Sequence, residues 1–260
     1  MSARPPAPPA PGGAPPPPAS DWALFLDIDG TLLTHAETPD AVYVDAALRE
    51  LLAQLLEFCG GALALVSGRR VDDVDALFEP LVLPVAGQHG IERRDAAGRI
   101  QQLPFPEERL RQVAQRFAAF KARHPGIVFE DKGHSLALHF RLAPQLEREV
   151  RALVEHAVAN LGEDFMLQAG KLVYELKPGG HDKGTAVAAF MAEPPFAGRR
   201  PVFIGDDQTD EYGFATVQRL GGHAVKVGEG ESSADWRLPD VEAVRAWLAG
   251  AGTQGIAESR

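Results

Sequence analysis

Trp22-Ala23-Leu24-Phe25-Leu26-Asp27-Ile28-Asp29-Gly30-Thr31-Leu32 decides the fold. Its first five residues are apolar without alternation, as expected of a strand covered on both faces in a parallel sheet. Two acids follow where such a strand would leave the core. Working outward, the pattern recurs. Asp45–Cys59 carries Leu48, Leu51, Leu52, Leu55 and Leu56 at helical spacing and stops at Gly60-Gly61. Ala62–Val66 reads as a second strand, Val71–Phe78 as a helix and Leu81–Val85 as a third strand. Later come a helix over Lys183–Met191, strands at Pro201–Ile204 and Ala224–Val227, and a closing helix over Val241–Leu248. Alternating strands and helices predict an α/β core, a doubly wound, Rossmann-like parallel sheet.

Residues 104–177 break the rhythm. A helix over Pro106–Ala122 precedes strand-like runs at Ile127–Lys132 and Ser135–Arg141; a helix over Pro144–Leu161 precedes a hairpin of Phe165–Ala169 and Leu172–Leu176. This order describes an α+β domain inserted between core pieces 21–103 and 178–250. Residues 1–20 hold nine of the 21 prolines and have little to bury, so a disordered or polyproline tail is expected there. Residues 251–260 read as a frayed end.

Composition narrows the function classes. No apolar run approaches the roughly 20 residues of a membrane span, and the N-terminus lacks the basic-then-apolar order of a signal peptide. Cys59 is the only cysteine, which removes an intrachain disulfide and a thiolate metal cage and makes a cytoplasmic setting the expectation. With a net charge of −10 and no Lys/Arg cluster, nucleic acid is not an expected partner. A small anion could still bind where local cations overcome that field. A monomer is expected.

Four segments carry candidate chemistry: Asp27-Ile28-Asp29-Gly30-Thr31, Ser67-Gly68-Arg69, Lys183, and Gly205-Asp206-Asp207. Three follow strands and the fourth opens a helix. Ligands of open parallel sheets bind beyond the carboxyl ends of the strands, so these distant segments should meet in one crevice. Asp27, Asp29, Asp206, Asp207 and Asp210 would not all ionise there without a cation. Magnesium suits such oxygen ligands. Ser67 could donate to a phosphoryl oxygen, and Lys183 could balance charge on nucleophile and phosphate. The plain alternative is that acids after strands only form Asx-turns or cap helices.

Taken together and in this order, the four segments closely resemble the motifs of the haloacid dehalogenase (HAD) superfamily, from Asp21 to about Leu248. The resemblance implies that Asp27 is a nucleophile forming an aspartyl-phosphate, and that Asp29 is general acid and then base. It also implies Ser67 and Lys183 in catalysis, a magnesium ion held by Asp27, Asp29 and Asp206, and Asp207 and Asp210 behind them. The insert resembles the superfamily's α/β cap.

Further runs resemble the trehalose-6-phosphate phosphatase family: Gly87-Gln88-His89-Gly90 with Glu92, Glu130-Asp131-Lys132-Gly133, His139-Phe140-Arg141, Glu175-Leu176-Lys177-Pro178, and Gly205 through Glu211. They imply trehalose 6-phosphate as substrate, contacted by Thr31, Gly68, Arg69, His89, Gly90, Glu130, Lys132, His139, Arg141 and Glu175. Glu130 and Lys132 are two apart, as are His139 and Arg141, so each pair shares a strand face. If the register agrees, four polar side chains line one surface, suited to sugar hydroxyls. The competing reading is a solvated hairpin face; His89 could equally be a buried turn residue. Phe140 stands where these phosphatases often have Tyr and is expected in the cap core. Another sugar-phosphate phosphatase, a hexose phosphomutase and a non-catalytic sugar-phosphate binder remain alternatives.

Overall fold

The computed structural model describes residues 13–34, 42–102, 107–133, 135–162, 165–170 and 172–252. The chain divides into two compact units, one of Met1–Gln101 with Asp182–Arg260, the other of Gln102–His181. The second is a few residues wider than the 104–177 expected, because its last strand runs through Pro178.

The first unit is built on an eight-stranded sheet. In chain order its elements are β1 (Trp22–Leu26), α1 (Ala46–Phe58), β2 (Leu63–Val66), α2 (Val71–Phe78), β3 (Val85–Gly87), β4 (Glu92–Arg94) and β5 (Ile100–Gln102). After the insert come α5 (Lys183–Met191), β10 (Arg200–Gly205), α6 (Asp210–Arg219), β11 (His223–Val227), β12 (Trp236–Leu238) and α7 (Val241–Ala249). The strand order is β12-β11-β10-β1-β2-β3-β4-β5. Neighbours from β12 to β3 are parallel, and β4 pairs antiparallel with β3. Strands β1 and β2 are buried along their whole length, as an uninterrupted apolar run requires. From β1 the chain moves to β2 on one side, and it returns to β10 on the other. The carboxyl end of β1 is therefore the switch point of the sheet.

The third strand lies later than the expected Leu81–Val85. Pairing with β2 begins at Val85 opposite Leu65, and Pro84, which has no N–H, contributes only its carbonyl, to Leu65 N at 3.0 Å. Helix α1 starts on Asp45, whose carboxylate accepts from Leu48 N at 2.7 Å. Arg245 of α7 donates to the other Asp45 oxygen (2.7 Å) and to the Leu32 carbonyl (2.9 Å), tying the last helix to the loop after β1.

Part of the expected proline-rich tail belongs to this unit. Gly13 bridges Trp236 in parallel, and its carbonyl accepts from Arg237 N at 3.0 Å. Pro15 and Pro18 are buried, and the Trp247 indole donates to the Pro16 carbonyl at 2.7 Å. Trp22 packs on Trp236 and Trp247, with centroids 6.1 and 6.4 Å apart. Composition predicted a disordered or polyproline tail for 1–20; residues 13–20 are instead tied to this unit through Gly13 and Pro16, with Pro15 and Pro18 buried. Of the end expected to fray, 251–260, the first two residues continue a short 3-10 turn, Gly250–Gly252, with Ala251 buried; residues 1–12 and 253–260 lie outside the described residues.

The inserted unit contains α3 (Glu107–Arg123), β6 (Val128–Asp131), β7 (Leu136–His139), α4 (Glu147–Leu161), β8 (Phe165–Gly170) and β9 (Val173–Pro178). Its four strands form an antiparallel sheet ordered β6-β7-β9-β8. Leu110, Val113, Phe117 and Phe120 of α3, and Val150, Val154, Ala157 and Leu161 of α4, recur at helical spacing and bury one stripe of each helix. Leu136, Leu138, Phe140, Tyr174 and Leu176 meet them in one core. Phe140 is buried and stacks on Tyr174 at 5.3 Å, as the sequence suggested. No helix among the described residues is long and apolar enough to cross a membrane.

Candidate active site

Asp27 follows β1 and is almost fully buried. The side chain of Lys183 reaches it because α5 packs against α6 with no room to spare. A β-carbon on Gly184 would lie 2.4 Å from the Tyr212 carbonyl oxygen and 2.5 Å from Thr216 Oγ1. Asp182 fixes the start of α5 through a capping box, accepting from Thr185 N at 2.8 Å while its own N–H donates to Thr185 Oγ1 at 3.0 Å. Lys183 Nζ, itself buried, then donates to Asp27 Oδ1 at 2.8 Å and to Asp210 Oδ1 at 2.6 Å.

Asp210 holds the acidic loop together. Its Oδ2 accepts from the amides of Asp206 and Asp207, both at 2.9 Å. A side chain on Gly205 would collide with it, a β-carbon coming within 2.2 Å of Asp210 Cγ. Asp207 Oδ1 accepts from Thr209 N (2.7 Å), Thr209 Oγ1 (2.6 Å) and Asp210 N (3.2 Å), and so opens α6. Gly30 has φ +87°, and a β-carbon there would stand 2.1 Å from Asp206 Oδ2, so only glycine lets the β1 loop approach Asp206. Thr31 Oγ1 points at Asp206 Oδ1 over a long 3.5 Å.

The second segment contributes differently. Ser67 is buried after β2, and its Oγ accepts from Arg69 N at 3.2 Å; Gly68 lies between them. Arg69 grips Asp29 with two parallel bonds, Nε to Oδ2 and Nη2 to Oδ1, each 2.7 Å. This hydrogen-bonded carboxylate raises the Arg69 pKa further above its already high value.

Burial pushes the Asp27 carboxyl up to about 6, Lys183 pulling the other way and Asp206 and Asp207 adding to the rise. Burial also raises Asp210, helped by the charge on Asp27. Against that rise, its oxygens accept from Lys183 and from the amides of Asp206 and Asp207. Burial works against the charge on Lys183, but Asp27, Asp210 and Asp207 outweigh it and raise its pKa.

Asp27, Asp206 and Asp210 offer oxygens within 4.8 Å of one another. Both Asp210 oxygens are already committed to Lys183 and two amides, leaving Asp27 and Asp206 as the pair suited to a cation. Asp29, expected as a third ligand, has its carboxylate engaged by Arg69, so its backbone carbonyl is the oxygen it could still offer. The all-oxygen donor set of this cluster fits a hard divalent ion such as magnesium.

In the inserted unit, Glu130 is opposite Ala137, Val128 opposite His139, and Ala137 opposite Glu175, so Glu130, His139 and Glu175 share the face away from the helices. His139 Nε2 donates to Glu130 Oε2 at 3.1 Å, and this bond, with Lys132, holds Glu130 below the usual carboxylate range. Lys132 Nζ lies 3.8 Å from Glu130 and 3.4 Å from Glu175. Ser135 Oγ donates to Glu175 Oε1 at 2.7 Å. Arg141 does not join them as expected. Strand β7 stops at His139, and Arg141 falls in the exposed turn beyond, where alternation no longer sets its direction.

Other residues of the quoted motifs serve the fold. Glu92 accepts from Val71 N (3.0 Å) and from Gln88 Nε2 (3.2 Å), capping α2. Gly90 has φ +105° against Ala186. The His89 side chain lies outside the described residues. Sequence reasoning missed Ser135 and Lys226. Lys226 Nζ donates to the backbone carbonyls of Asp206 and, at 2.7 Å, Val227. The available signal was a lone charge inside the apolar strand Ala224-Val225-Lys226-Val227.

The family model described as Trehalose-phosphatase matches residues 25–242. The chain is 48% identical over 231 residues to a protein of Sinorhizobium fredii named as a probable trehalose-phosphate phosphatase, spanning 88% of this chain and 87% of that one. It is 44% identical over 230 residues to trehalose-6-phosphate phosphatase of Escherichia coli, spanning 88% and 86%. Among solved structures, a trehalose-6-phosphate phosphatase related protein superposes with a TM-score of 0.74 at 26% identity, over 91% of this chain and 99% of that one. A haloacid dehalogenase-like hydrolase from B. subtilis shares the fold, with a TM-score of 0.61 at 15% identity over 87% and 98%. The core-plus-insert fold is thus shared with a haloacid dehalogenase-like hydrolase, and the chain belongs to the trehalose-phosphatase family.

Proposed function

We propose that Asp27 opens the hydrolysis of trehalose 6-phosphate by attacking the phosphorus, forming an aspartyl-phosphate as the sugar's O6–P bond breaks. The observation that carries this reading is the buried Lys183–Asp27 pair at 2.8 Å, a carboxylate oriented and charge-balanced at the sheet's switch point. Lys183 stabilises the anionic form of Asp27 before attack and offsets charge on the phosphoryl oxygens during transfer. Asp29 gives the leaving O6 alkoxide its proton, then takes one from the water that cleaves the acyl-phosphate, returning Asp27 and free phosphate. To carry that proton, Asp29 must give up one of its two Arg69 contacts, which frees a guanidinium N–H for a phosphoryl oxygen. Ser67 and Thr31 are further hydroxyl donors beside the same oxygens, and Gly68 keeps the Ser67–Arg69 turn open to the substrate.

Asp27 and Asp206 would hold a magnesium ion, with Asp207 and Asp210 maintaining their loop. The ion would supply Lewis-acid stabilisation of the phosphoryl charge.

Glu130, Lys132, His139, Arg141 and Glu175 of the insert are proposed to recognise the disaccharide, and His89 and Gly90 of the core to contact the substrate. Each acid has one oxygen engaged by a neighbour in the insert, which orients the other for a sugar O–H. The test is phosphate release from a sugar-phosphate panel, with magnesium or with chelator. Trehalose 6-phosphate should exceed glucose 6-phosphate and sucrose 6-phosphate, and chelation should abolish turnover. Equal rates would defeat the substrate assignment, and full activity in chelator the metal. Glu130→Ala should cut kcat/KM for trehalose 6-phosphate by about 10-fold or more, the cost of a lost charged hydrogen bond, while sparing a small aryl phosphate. Equal losses on both would remove the insert from recognition.

A further inference from the structure

Lys226 is a buried ammonium that the chemistry above leaves without a task. It is 6% exposed, and its register partner on β10 is Gly205, the residue before Asp206. The ammonium therefore stands at the root of the acidic loop. It donates to the carbonyls of Asp206 and Val227. Both acceptors are uncharged, so the pair of bonds alone does not call for a buried charge, which is costly to desolvate.

The Asp206 peptide is gripped from both sides. Its N–H donates to Asp210 Oδ2 at 2.9 Å, its C=O accepts from Lys226, and its carboxylate abuts Gly30, leaving no room for a β-carbon. We propose that Lys226 is a positioning residue for the cation site: it clamps the Asp206 carbonyl and so sets the direction of the Asp206 carboxylate. This inference rests on the magnesium reading above.

Two effects of Lys226 oppose each other, and their signs can be separated. As a positive charge it repels a cation, so its removal would tighten magnesium binding. As a clamp it preorganises a ligand, and loss of such an outer partner weakens metal affinity about 10- to 100-fold. The experiment is calorimetric titration of the full chain, stripped of metal, with magnesium chloride. Lys226→Met removes both donors and charge; Lys226→Gln removes the charge but keeps an N–H for one carbonyl, covering a Met variant that does not fold. Circular dichroism establishes folding before titration. Both substitutions should weaken magnesium, Lys226→Met at least about 10-fold and Lys226→Gln, which keeps one clamp bond, by less. Unchanged or tighter binding by a folded variant, with wild-type binding intact, would overturn the clamp alone. A wild-type chain that takes up no magnesium would overturn the metal reading and this inference with it.

Discussion

Replacing Asp27 with Asn should make the metal-free protein more stable at neutral pH while destroying its activity. Burial raises the Asp27 pKa from 3.8 to about 6, even after the opposing pull of Lys183. A rise of about two units, at about 1.4 kcal/mol each, means that ionised Asp27 costs the folded state ~3 kcal/mol relative to its neutral form. The folded pKa lies above the unfolded one. The group's contribution to stability is therefore complete below the unfolded value and is lost as pH rises through about 6. Asn has the shape of the protonated acid and still offers Lys183 a carbonyl. Asp27→Asn should accordingly gain up to ~3 kcal/mol at pH 8, less between pH 6 and 4, and nothing near pH 4. Urea unfolding in chelator across that range reads the difference directly. A variant less stable than wild type at pH 8, or a gap that ignores pH, would refute the reasoning.

Other perturbations probe the same framework. Lys183→Met strands Asp27 and Asp210 without their buried cation; it should cost about 3–5 kcal/mol at pH 8, partly recovered toward pH 5, in the same unfolding assay. Gly184→Ala pushes a methyl onto the Tyr212 carbonyl and should cost about 1–3 kcal/mol, with kcat falling as Lys183 moves off Asp27. Trp247→Phe removes the donor to Pro16 and should cost about 1 kcal/mol in thermal unfolding without changing turnover.

What sequence could reveal divides along physical lines. Strands β1 and β2 and helices α1 and α5 were legible because long apolar runs, periodic leucines and glycine stops are local signals. Strands β4, β5 and β12, three residues each, carry no such signal, and β4 is charged throughout because Arg93 and Arg94 pair with Glu193 and Asp75. Helix α6 was hidden by Asp210 and Glu211, which read as acidic motif and not as a helix start. In the site, acids at strand ends could be gathered from topology, but their side-chain partners could not. Nothing in the order of residues says that Arg69 takes Asp29, that Asp210 spends both oxygens on Lys183 and the loop amides, or that Arg141 falls beyond its strand. The docking of Gly13 and Pro16 likewise depends on Trp236, Arg237 and Trp247, more than two hundred residues away.

The central claim is that Asp27 carries the phosphoryl group. Labelled trehalose 6-phosphate should be mixed with excess enzyme, quenched in acid within one turnover, and the label mapped to a peptide by mass spectrometry. The account predicts a phosphoryl group on Asp27 that disappears in Asp27→Asn. Label on another residue, or turnover by Asp27→Asn at the wild-type rate, would contradict it.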